Sequence, residues 1–145
     1  MKTPYPNPER VPSLWFPLVK KFYQEHYPSG KPNKAEPIWV LRQNNSKIVC
    51  SLRLKRFPNA QLLMSMVTDP SYRKIGLGSH LINSIHDQLN LLPSYCFALD
   101  HLVSFYTANN FIEIETDRLP EELRKRFQSY KAQGRKITPM IYISS

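Results

Sequence analysis

The sequence predicts a single α+β domain built on a mixed central sheet of about six strands, with helices flanking the sheet. The chain has 145 residues, of which 41% are hydrophobic and 21% charged, so it can bury a core of its own. Short apolar strand patterns alternate along it with amphipathic helix patterns. In its centre a strand, a helix and a second strand follow one another, which predicts a right-handed crossover between two parallel strands.

The N-terminal segment, residues 1–12, is predicted to form an extended arm because four of the 13 prolines fall in it, and it shows no clear strand pattern. A helix is then expected to begin at Ser13 as its N-cap and to run to about His26. The side chains expected on its inner face are Leu14, Leu18, Phe22 and Tyr23. Residues 13–145 should therefore form the folded domain.

Three strands of an antiparallel meander are expected after this helix, at residues 38–42, 47–54 and 61–68. The first two flank a turn that contains Asn44 and Asn45, and asparagine tolerates the positive φ that hairpin turns require. The third strand is almost entirely apolar, as expected of a central strand that is buried on both faces.

The second half of the chain alternates helices with strands. Five apolar residues recur at the spacing of one helix face, namely Leu77, Leu81, Ile82, Ile85 and Leu89. The remaining expected elements are strands at residues 94–99, 111–115 and 137–143 and helices at residues 101–108 and from Leu119 to Gly134. No internal repeat or domain boundary interrupts this order.

The net charge of +9 favours a polyanionic partner, such as nucleic acid, an anionic membrane surface or a ligand that carries several phosphates. No apolar run approaches the roughly 18 residues that a membrane span needs, and the N-terminus lacks the apolar segment of a secretory signal. Cys50 and Cys96 lie in apolar strand patterns without CxxC spacing, which favours buried, reduced thiols in a cytoplasmic protein.

The stretch YRKIGLG, residues 72–78, joins the apolar third strand to the next helix and holds two of the four glycines, Gly76 and Gly78. The first N–H groups of a helix have no partners within it, so glycines that let an anion approach them favour phosphate binding. A Walker loop is excluded because no Lys-Ser/Thr pair follows Gly78, and the dinucleotide fingerprint is excluded because Leu81 replaces its third glycine. An ordinary tight turn is the alternative interpretation.

In its context the loop resembles the coenzyme A loop of the GNAT superfamily of acyl-CoA-dependent N-acetyltransferases. The run VTDPSYRKIGLG is similar to the family signature, Gln/Arg-x-x-Gly-x-Gly/Ala preceded by V-x-P-x-Y-R, with one extra residue between Val67 and Pro70. Downstream, SFYTANNF at residues 104–111 resembles the family segment F-Y-x-x-x-G-F. Asn110 stands in place of the glycine, and because asparagine tolerates left-handed backbone, the turn is expected to be kept. The resemblance covers residues 38–111.

The resemblance implies a GNAT-like fold in which the third strand and the strand after the crossover helix splay apart to admit acetyl-CoA as co-substrate. The pantetheine arm would bond the backbone of Met66, Val67 and Thr68, and the N–H of Val67 would hold the thioester oxygen. The residues implied to bind the diphosphate are Arg73, Lys74, Ile75, Gly76, Leu77, Gly78 and Ser79.

Transfer of an acetyl group from a thioester to an amine needs two proton movements. The resemblance implies that Tyr106 is the general acid that protonates the departing thiolate, and an ordinary tyrosine pKa near 10 suits that role. Packing on a helix face is the alternative role for this side chain. The base is left open, with Asp100 and His101 as candidates because they follow the strand that lines the gap.

Other ionisable residues receive no catalytic role. Glu113, Glu115 and Asp117 alternate with apolar residues, so they are expected to share one strand face, which is more typical of solvent exposure than of an amine site. His80 and His86 lie six residues apart on one helix and point in different directions, so no metal site is predicted.

The predicted function is an acetyl-CoA-dependent N-acetyltransferase that acts on a primary amine, either of a small molecule or of a protein. A basic nucleic-acid-binding domain is one alternative, supported by the net charge and by Arg124, Lys125 and Arg126. It is disfavoured because the basic residues do not form a stripe with interleaved aromatics. A CoA-binding sensor without catalytic activity is the other alternative.

Overall fold

A seven-stranded mixed sheet runs through the computed structural model, which describes residues 5–144. The strands are β1 (Glu9–Arg10), β2 (Ile38–Gln43), β3 (Lys47–Phe57), β4 (Ala60–Thr68), β5 (Ser94–Leu99), β6 (Phe111–Glu113) and β7 (Ile137–Tyr142). Their order across the sheet is β1-β2-β3-β4-β5-β7-β6, and within the described range only β4 and β5 pair in parallel. The predicted α+β class with a mixed sheet is confirmed.

Helices cover both faces of this sheet. They are α1 (Phe16–His26), α2 (Leu77–Ser84), α3 (His86–Leu89), α4 (Val103–Ala108) and α5 (Glu121–Ala132). Neighbouring residues of β4 belong to different faces, because Leu63 packs in the cluster that contains α2 and α4, whereas Leu62 packs against α5. The helix α1 packs on the same face as α5, against β2 and β3. No helix in residues 5–144 combines the length and the apolarity that crossing a bilayer requires.

The N-terminal arm differs from its prediction in one respect. The sequence shows no clear strand pattern in residues 1–12, yet β1 pairs antiparallel with β2, and the N–H of Val11 continues the pairing by donating to the carbonyl of Ile38 at 2.9 Å. An ion pair between Glu9 and Arg42, with Oε1 and Nε 2.7 Å apart, supports this strand. These contacts join residues about 30 positions apart, so no local pattern reveals them. The first four residues of the arm lie outside the described range.

The first helix buries Phe22 and Tyr23 as predicted, but not the other two residues expected on its inner face. Leu14 and Leu18 are 86% and 54% exposed, and their predicted inward orientation is wrong. Its buried side chains are Val19, Phe22 and Tyr23. The difference arises because Leu14 lies in a 3-10 turn that precedes α1 and because Leu18 lies about 100° round the helix from Val19. Ser13 begins that turn, and no side-chain capping bond is formed there.

The strand β6 ends two residues earlier than predicted. Glu115 precedes a short 3-10 turn that contains Asp117, so the prediction that Glu113, Glu115 and Asp117 share one strand face is wrong. All three carboxylates are exposed, as expected.

Other predictions about local structure are confirmed. The turn between β2 and β3 places Asn44 and Asn45 at φ 51° and 56°, and Asn110 has φ 69°. Both cysteines are buried and free. The five apolar residues predicted for the crossover helix are all buried, although the helix breaks at Ile85 into α2 and α3.

Candidate functional site

The parallel strands β4 and β5 pair over only part of their length. Their register runs from Gln61 opposite Ser94 to Leu63 opposite Cys96, and no pairing continues beyond it. The pairing of β4 with β3 shifts register just after this point, and Ser65 has φ 53° there. A bulge bends its strand and increases the local twist, so the second half of β4 diverges from β5. The splayed strand pair implied by the sequence is therefore present.

The bulge is fixed by side chains from two other elements. The hydroxyl of Tyr23 on α1 donates to the carbonyl of Ser65 at 2.8 Å. Arg53 on β3 donates from Nη1 to the hydroxyl of Ser65 at 2.9 Å, while its Nη2 pairs with Glu36 Oε1 at 2.7 Å. A left-handed serine in a central strand is strained, and these partly buried hydrogen bonds compensate for that strain.

The loop after β4 presents a row of free backbone donors. Lys74 and Gly76 have φ 68° and 84°, and alternating left-handed residues of this kind form a concave nest of N–H groups. The first hydrogen bond of α2 runs from the N–H of His80 to the carbonyl of Gly76 at 2.9 Å. Within residues 5–144, none of the N–H groups of residues 74–79 has an acceptor.

Positive charge surrounds these donors. Arg73 and Lys74 are exposed, and neither has a carboxylate of the described chain within salt-bridge distance. Gly78 lets α2 approach α4 closely, because a Cβ there would lie 3.1 Å from Met66 Cε and 3.2 Å from Phe105 Cζ. Free N–H groups, two cations and the N-terminus of a helix are groups that can together hold an anion with several oxygens.

A cavity of about 610 Å³, here named the loop cavity, opens between this loop, β4 and α4. Of the ten residues predicted to bind the cofactor, all except Ile75 line it; Ile75 is 53% exposed and points elsewhere. The residues that line it but were missed in the sequence are Tyr72, Leu102 and Phe105. They are apolar or aromatic side chains with no spacing that distinguishes them from core residues.

Tyr106 lines the loop cavity from α4. Its ring packs against Phe105 and Phe111, with centroids 5.1 and 5.5 Å away, and within residues 5–144 its hydroxyl has no hydrogen-bond partner. Burial raises the pKa of Tyr106 well above its usual value of 10, with smaller contributions from the side chains of Cys96 and Tyr27. The phenol therefore keeps its proton at neutral pH and can donate it into the cavity.

The two candidate bases lie in different surroundings. Asp100 does not line the loop cavity, and its Oδ1 accepts a hydrogen bond from Thr138 Oγ1 at 2.7 Å. His101 lines the cavity and is exposed. The structure thus brings His101, but not Asp100, together with Tyr106.

A second cavity of about 450 Å³ lies on the opposite face of the sheet, where α1 and α5 pack. It is lined by the diverging parts of β4 and β5, including Ser65 and Leu99, and by Tyr27, Tyr130 and Arg135. The two cavities therefore approach the gap between β4 and β5 from opposite sides. Sequence reasoning missed this cavity and gave Arg135 no role, because the walls of the cavity come from segments far apart in the chain.

Comparisons with solved structures show that other proteins share this fold. N-acetylglutamate synthase from Neisseria gonorrhoeae, complexed with coenzyme A and N-acetyl-glutamate, aligns with 85% of this chain at TM-score 0.63 and 17% identity. The aligned part is 27% of that synthase, so this chain spans about a quarter of its length.

Two other structures align over nearly their whole length. Rv2747 from Mycobacterium tuberculosis, in complex with CoA, covers 97% of this chain and 100% of its own, with 17% identity and TM-score 0.71. Naa50 from Arabidopsis thaliana, in complex with the bisubstrate analogue CoA-Ac-MVNAL, covers 95% and 98%, with 15% identity and TM-score 0.67. At such identities the likeness concerns the fold alone.

The assignment of this chain to a family rests on its sequence and not on these structures. A search of curated proteins found no match. Residues 34–113, more than half of the chain, match the acetyltransferase (GNAT) domain family. This match confirms the resemblance found in the sequence and, at the level of the family, acetyl-CoA as the co-substrate. The chain belongs to the GNAT family of acetyltransferases.

Proposed function

We propose that this protein transfers the acetyl group of acetyl-CoA to a primary amine by direct attack of the amine on the thioester. The observation that supports the proposal most strongly is the row of free N–H groups at residues 74–79, because all of these residues except Ile75 line the loop cavity together with Arg73. The diphosphate of CoA would accept hydrogen bonds from this row, and the two cations would offset its charge.

Where β4 diverges from β5, backbone groups of β4 would be free to hydrogen-bond the pantetheine arm. The N–H of Asp69 donates to the carbonyl of Val49 on β3 at 2.8 Å. Because N–H groups alternate between the two sides of a strand, Thr68 and Met66 would turn theirs toward the gap, and Val67 would turn its own toward β3. The amide-rich arm would pair with the groups in the gap. The sequence assigned the hydrogen bond to the thioester oxygen to Val67, whereas this alternation favours Met66 or Thr68 for it.

Tyr106 would act as the general acid. Attack of the amine forms the new C–N bond and breaks the C–S bond, so the sulfur leaves with the electron pair and takes up the phenolic proton. The raised pKa of Tyr106 means that the phenol carries its proton at neutral pH and is available as a donor when the thiolate forms. The phenolate then regains a proton from solvent as CoA departs.

The attacking amine must lose a proton before or during attack. No carboxylate lines the loop cavity, and His101 is its one imidazole. We propose that His101 receives this proton through water, which would leave Asp100 with the structural role of accepting the hydrogen bond of Thr138.

A melting titration with acetyl-CoA, CoA and ATP tests binding, and thiol release over a panel of amines tests transfer. Acetyl-CoA at about 100 times its Kd should add about 2.7 kcal/mol of stability, and ATP should add much less at equal concentration. Stabilisation by acetyl-CoA without thiol release from any amine would identify a silent CoA sensor. Absence of stabilisation, together with salt-sensitive binding of RNA or DNA, would support the nucleic-acid alternative.

A further inference from the structure

The second cavity reaches the diverging strands on the side opposite the loop cavity. Gly30 sits tightly between Tyr27 and Ser65, since a Cβ there would lie 2.7 Å from Tyr27 Cδ2 and 3.0 Å from Ser65 Oγ. The second cavity therefore extends to the bulge itself, one residue from Met66 in the loop cavity. A molecule bound in it could reach a thioester held in the gap.

The ionisable residues that line the second cavity carry positive charge only. Two arginines and two tyrosines line it, and no carboxylate does. Arg53 is neutralised by Glu36, with Nη2 and Oε1 2.7 Å apart, and Lys55 Nζ lies 3.9 Å from the other oxygen of that carboxylate. Arg135 is exposed and has no carboxylate of residues 5–144 within salt-bridge distance. The cavity thus holds one uncompensated guanidinium.

Contacts with Tyr130 hold the Arg135 guanidinium in place and leave its hydrogen-bond donors available. Its carbon lies 4.1 Å from the centroid of the Tyr130 ring, and the backbone N–H of Arg135 donates to the carbonyl of Tyr130 at 3.2 Å. The hydroxyl of Tyr130 accepts a hydrogen bond from Arg126 Nη1 at 3.1 Å, which restrains the ring. Stacking leaves the edge of the guanidinium free, and that edge matches a carboxylate with two parallel hydrogen bonds.

We propose that the acceptor is a small amine that also carries a carboxylate, as an amino acid does, and that Arg135 binds this carboxylate. The inference rests on the acetyltransferase function proposed above. The positive charge at the second cavity attracts the carboxylate and opposes binding of polyamines and other purely cationic amines. It also favours the neutral form of the bound amine, which is the form that attacks, because an ammonium group would be repelled.

Pairs of substrates that differ only in the carboxylate measure the contribution of this group to turnover. Each amino acid in a panel is compared with its own carboxamide, which keeps the amine and side chain but lacks the negative charge, and thiol release gives kcat/KM for both. The wild-type protein should prefer the acid by about 10- to 100-fold, as expected of a charge-assisted pair. Putrescine and spermidine should be poorer acceptors than the acids.

Arg135→Gln should bring the ratio of acid to amide close to one, and Arg135→Glu should reverse it. Lys136→Gln is the matched control, because Lys136 carries the same charge at the adjacent position but does not line the second cavity. This variant should keep the wild-type ratio. Because the measurement is a ratio within each variant, a change in the amount of folded protein does not affect it.

Two outcomes would overturn the inference without affecting the acetyltransferase function. One is equal or better turnover of amides and polyamines by the wild-type protein, and the other is an equal loss of the ratio in Arg135→Gln and Lys136→Gln. If no amine of any class releases thiol, the proposed function itself fails and the inference fails with it.

Discussion

The hydroxyl of Tyr5 donates a hydrogen bond to the carbonyl of Ile75, with the two oxygens 2.6 Å apart. The ring of Tyr5 stacks on His80, with centroids 4.8 Å apart, and His80 Nε2 lies 2.8 Å from the carbonyl of Pro6. The N-terminal arm thus packs on the outer side of the loop whose N–H groups line the loop cavity. Because Tyr5 holds a carbonyl of this loop, we expect it to stabilise the loop conformation that leaves the N–H groups of residues 74–79 without acceptors.

Removal of this hydrogen bond should weaken CoA binding. Tyr5→Phe keeps the stacked ring and loses only the hydroxyl, so Kd for CoA, measured by calorimetry, should rise about threefold to tenfold, as expected for one hydrogen bond. Tyr95→Phe removes a hydroxyl on the other face of the sheet and should leave Kd unchanged. An unchanged Kd in Tyr5→Phe would show that the arm does not support the loop.

Two glycines have similar backbone angles, so a comparison of their alanine variants separates the effect of local strain from the effect on ligand binding. Gly76 and Gly134 have φ 84° and 89°, so replacing either by alanine should cost about 1 kcal/mol in unfolding free energy. A Cβ at Gly76 would lie 2.7 Å from the hydroxyl of Tyr5, whereas nothing lies within 4 Å of one at Gly134. Gly76→Ala should therefore also lose the stabilisation by acetyl-CoA, and Gly134→Ala should retain it. Equal responses of the two variants to acetyl-CoA would contradict the assigned role of the loop.

Loss of the Tyr106 hydroxyl should affect catalysis much more than binding. Tyr106→Phe should lower kcat by about 100-fold or more, the usual contribution of a general acid, with Kd for acetyl-CoA nearly unchanged. Because burial raises the pKa of Tyr106 well above 10, the wild-type rate should not fall through loss of this proton between pH 7 and about 10. A variant with wild-type turnover would assign Tyr106 to packing alone.

The bulge in β4 depends on Tyr23, which is 1% exposed. Tyr23→Phe leaves the carbonyl of Ser65 and the hydroxyl of Ser51 without this partner, which should lower the unfolding free energy by about 1–3 kcal/mol. It should also lower kcat/KM in the folded fraction, because the bulge sets the divergence of β4 from β5. Denaturant melts and thiol release measure the two effects, and a loss of stability with unchanged kcat/KM would separate the bulge from catalysis.

The buried thiols predict a loss of stability in alkali. Burial raises the pKa of Cys50 to about 11 and that of Cys96 still further, whereas thiols of the unfolded chain ionise near about 8.5. The folded state holds these protons more tightly, so stability is unaffected below about pH 8 and falls as the pH rises from 8.5 to 10. Cys50→Ala should show a shallower fall in denaturant melts over this range. Identical slopes in the two proteins would contradict the assignment of this loss to Cys50.

Local patterns predicted most of the fold. Asn44 and Asn45 formed the turn expected of them, and the apolar series from Leu77 to Leu89 formed the buried face of the crossover helix even though the helix breaks at Ile85. Periodicity failed for Leu14 and Leu18, because a 3-10 turn at the start of the segment changed the phase of the helix. A two-residue strand such as β1 has no period to detect.

The loop of the candidate site was predictable and its surroundings were not. Two glycines after an Arg-Lys pair marked the loop in the sequence. Left-handed backbone at position 76 favours glycine, so this feature of the loop can be recognised from the residue type. Lys74 is also left-handed, and nothing in the sequence signals it. The second cavity joins Tyr27 to Arg135, more than 100 positions apart, through the sheet topology alone. Such a site is found only when the fold is known.

A crystal structure with acetyl-CoA tests the central claim most directly. The diphosphate oxygens are expected within hydrogen-bond distance of the N–H groups of residues 74–79, with the thioester in the gap between β4 and β5 beside Tyr106. A diphosphate bound elsewhere would contradict the claim. So would a loop cavity that is closed by its own side chains in crystals that hold acetyl-CoA at another place.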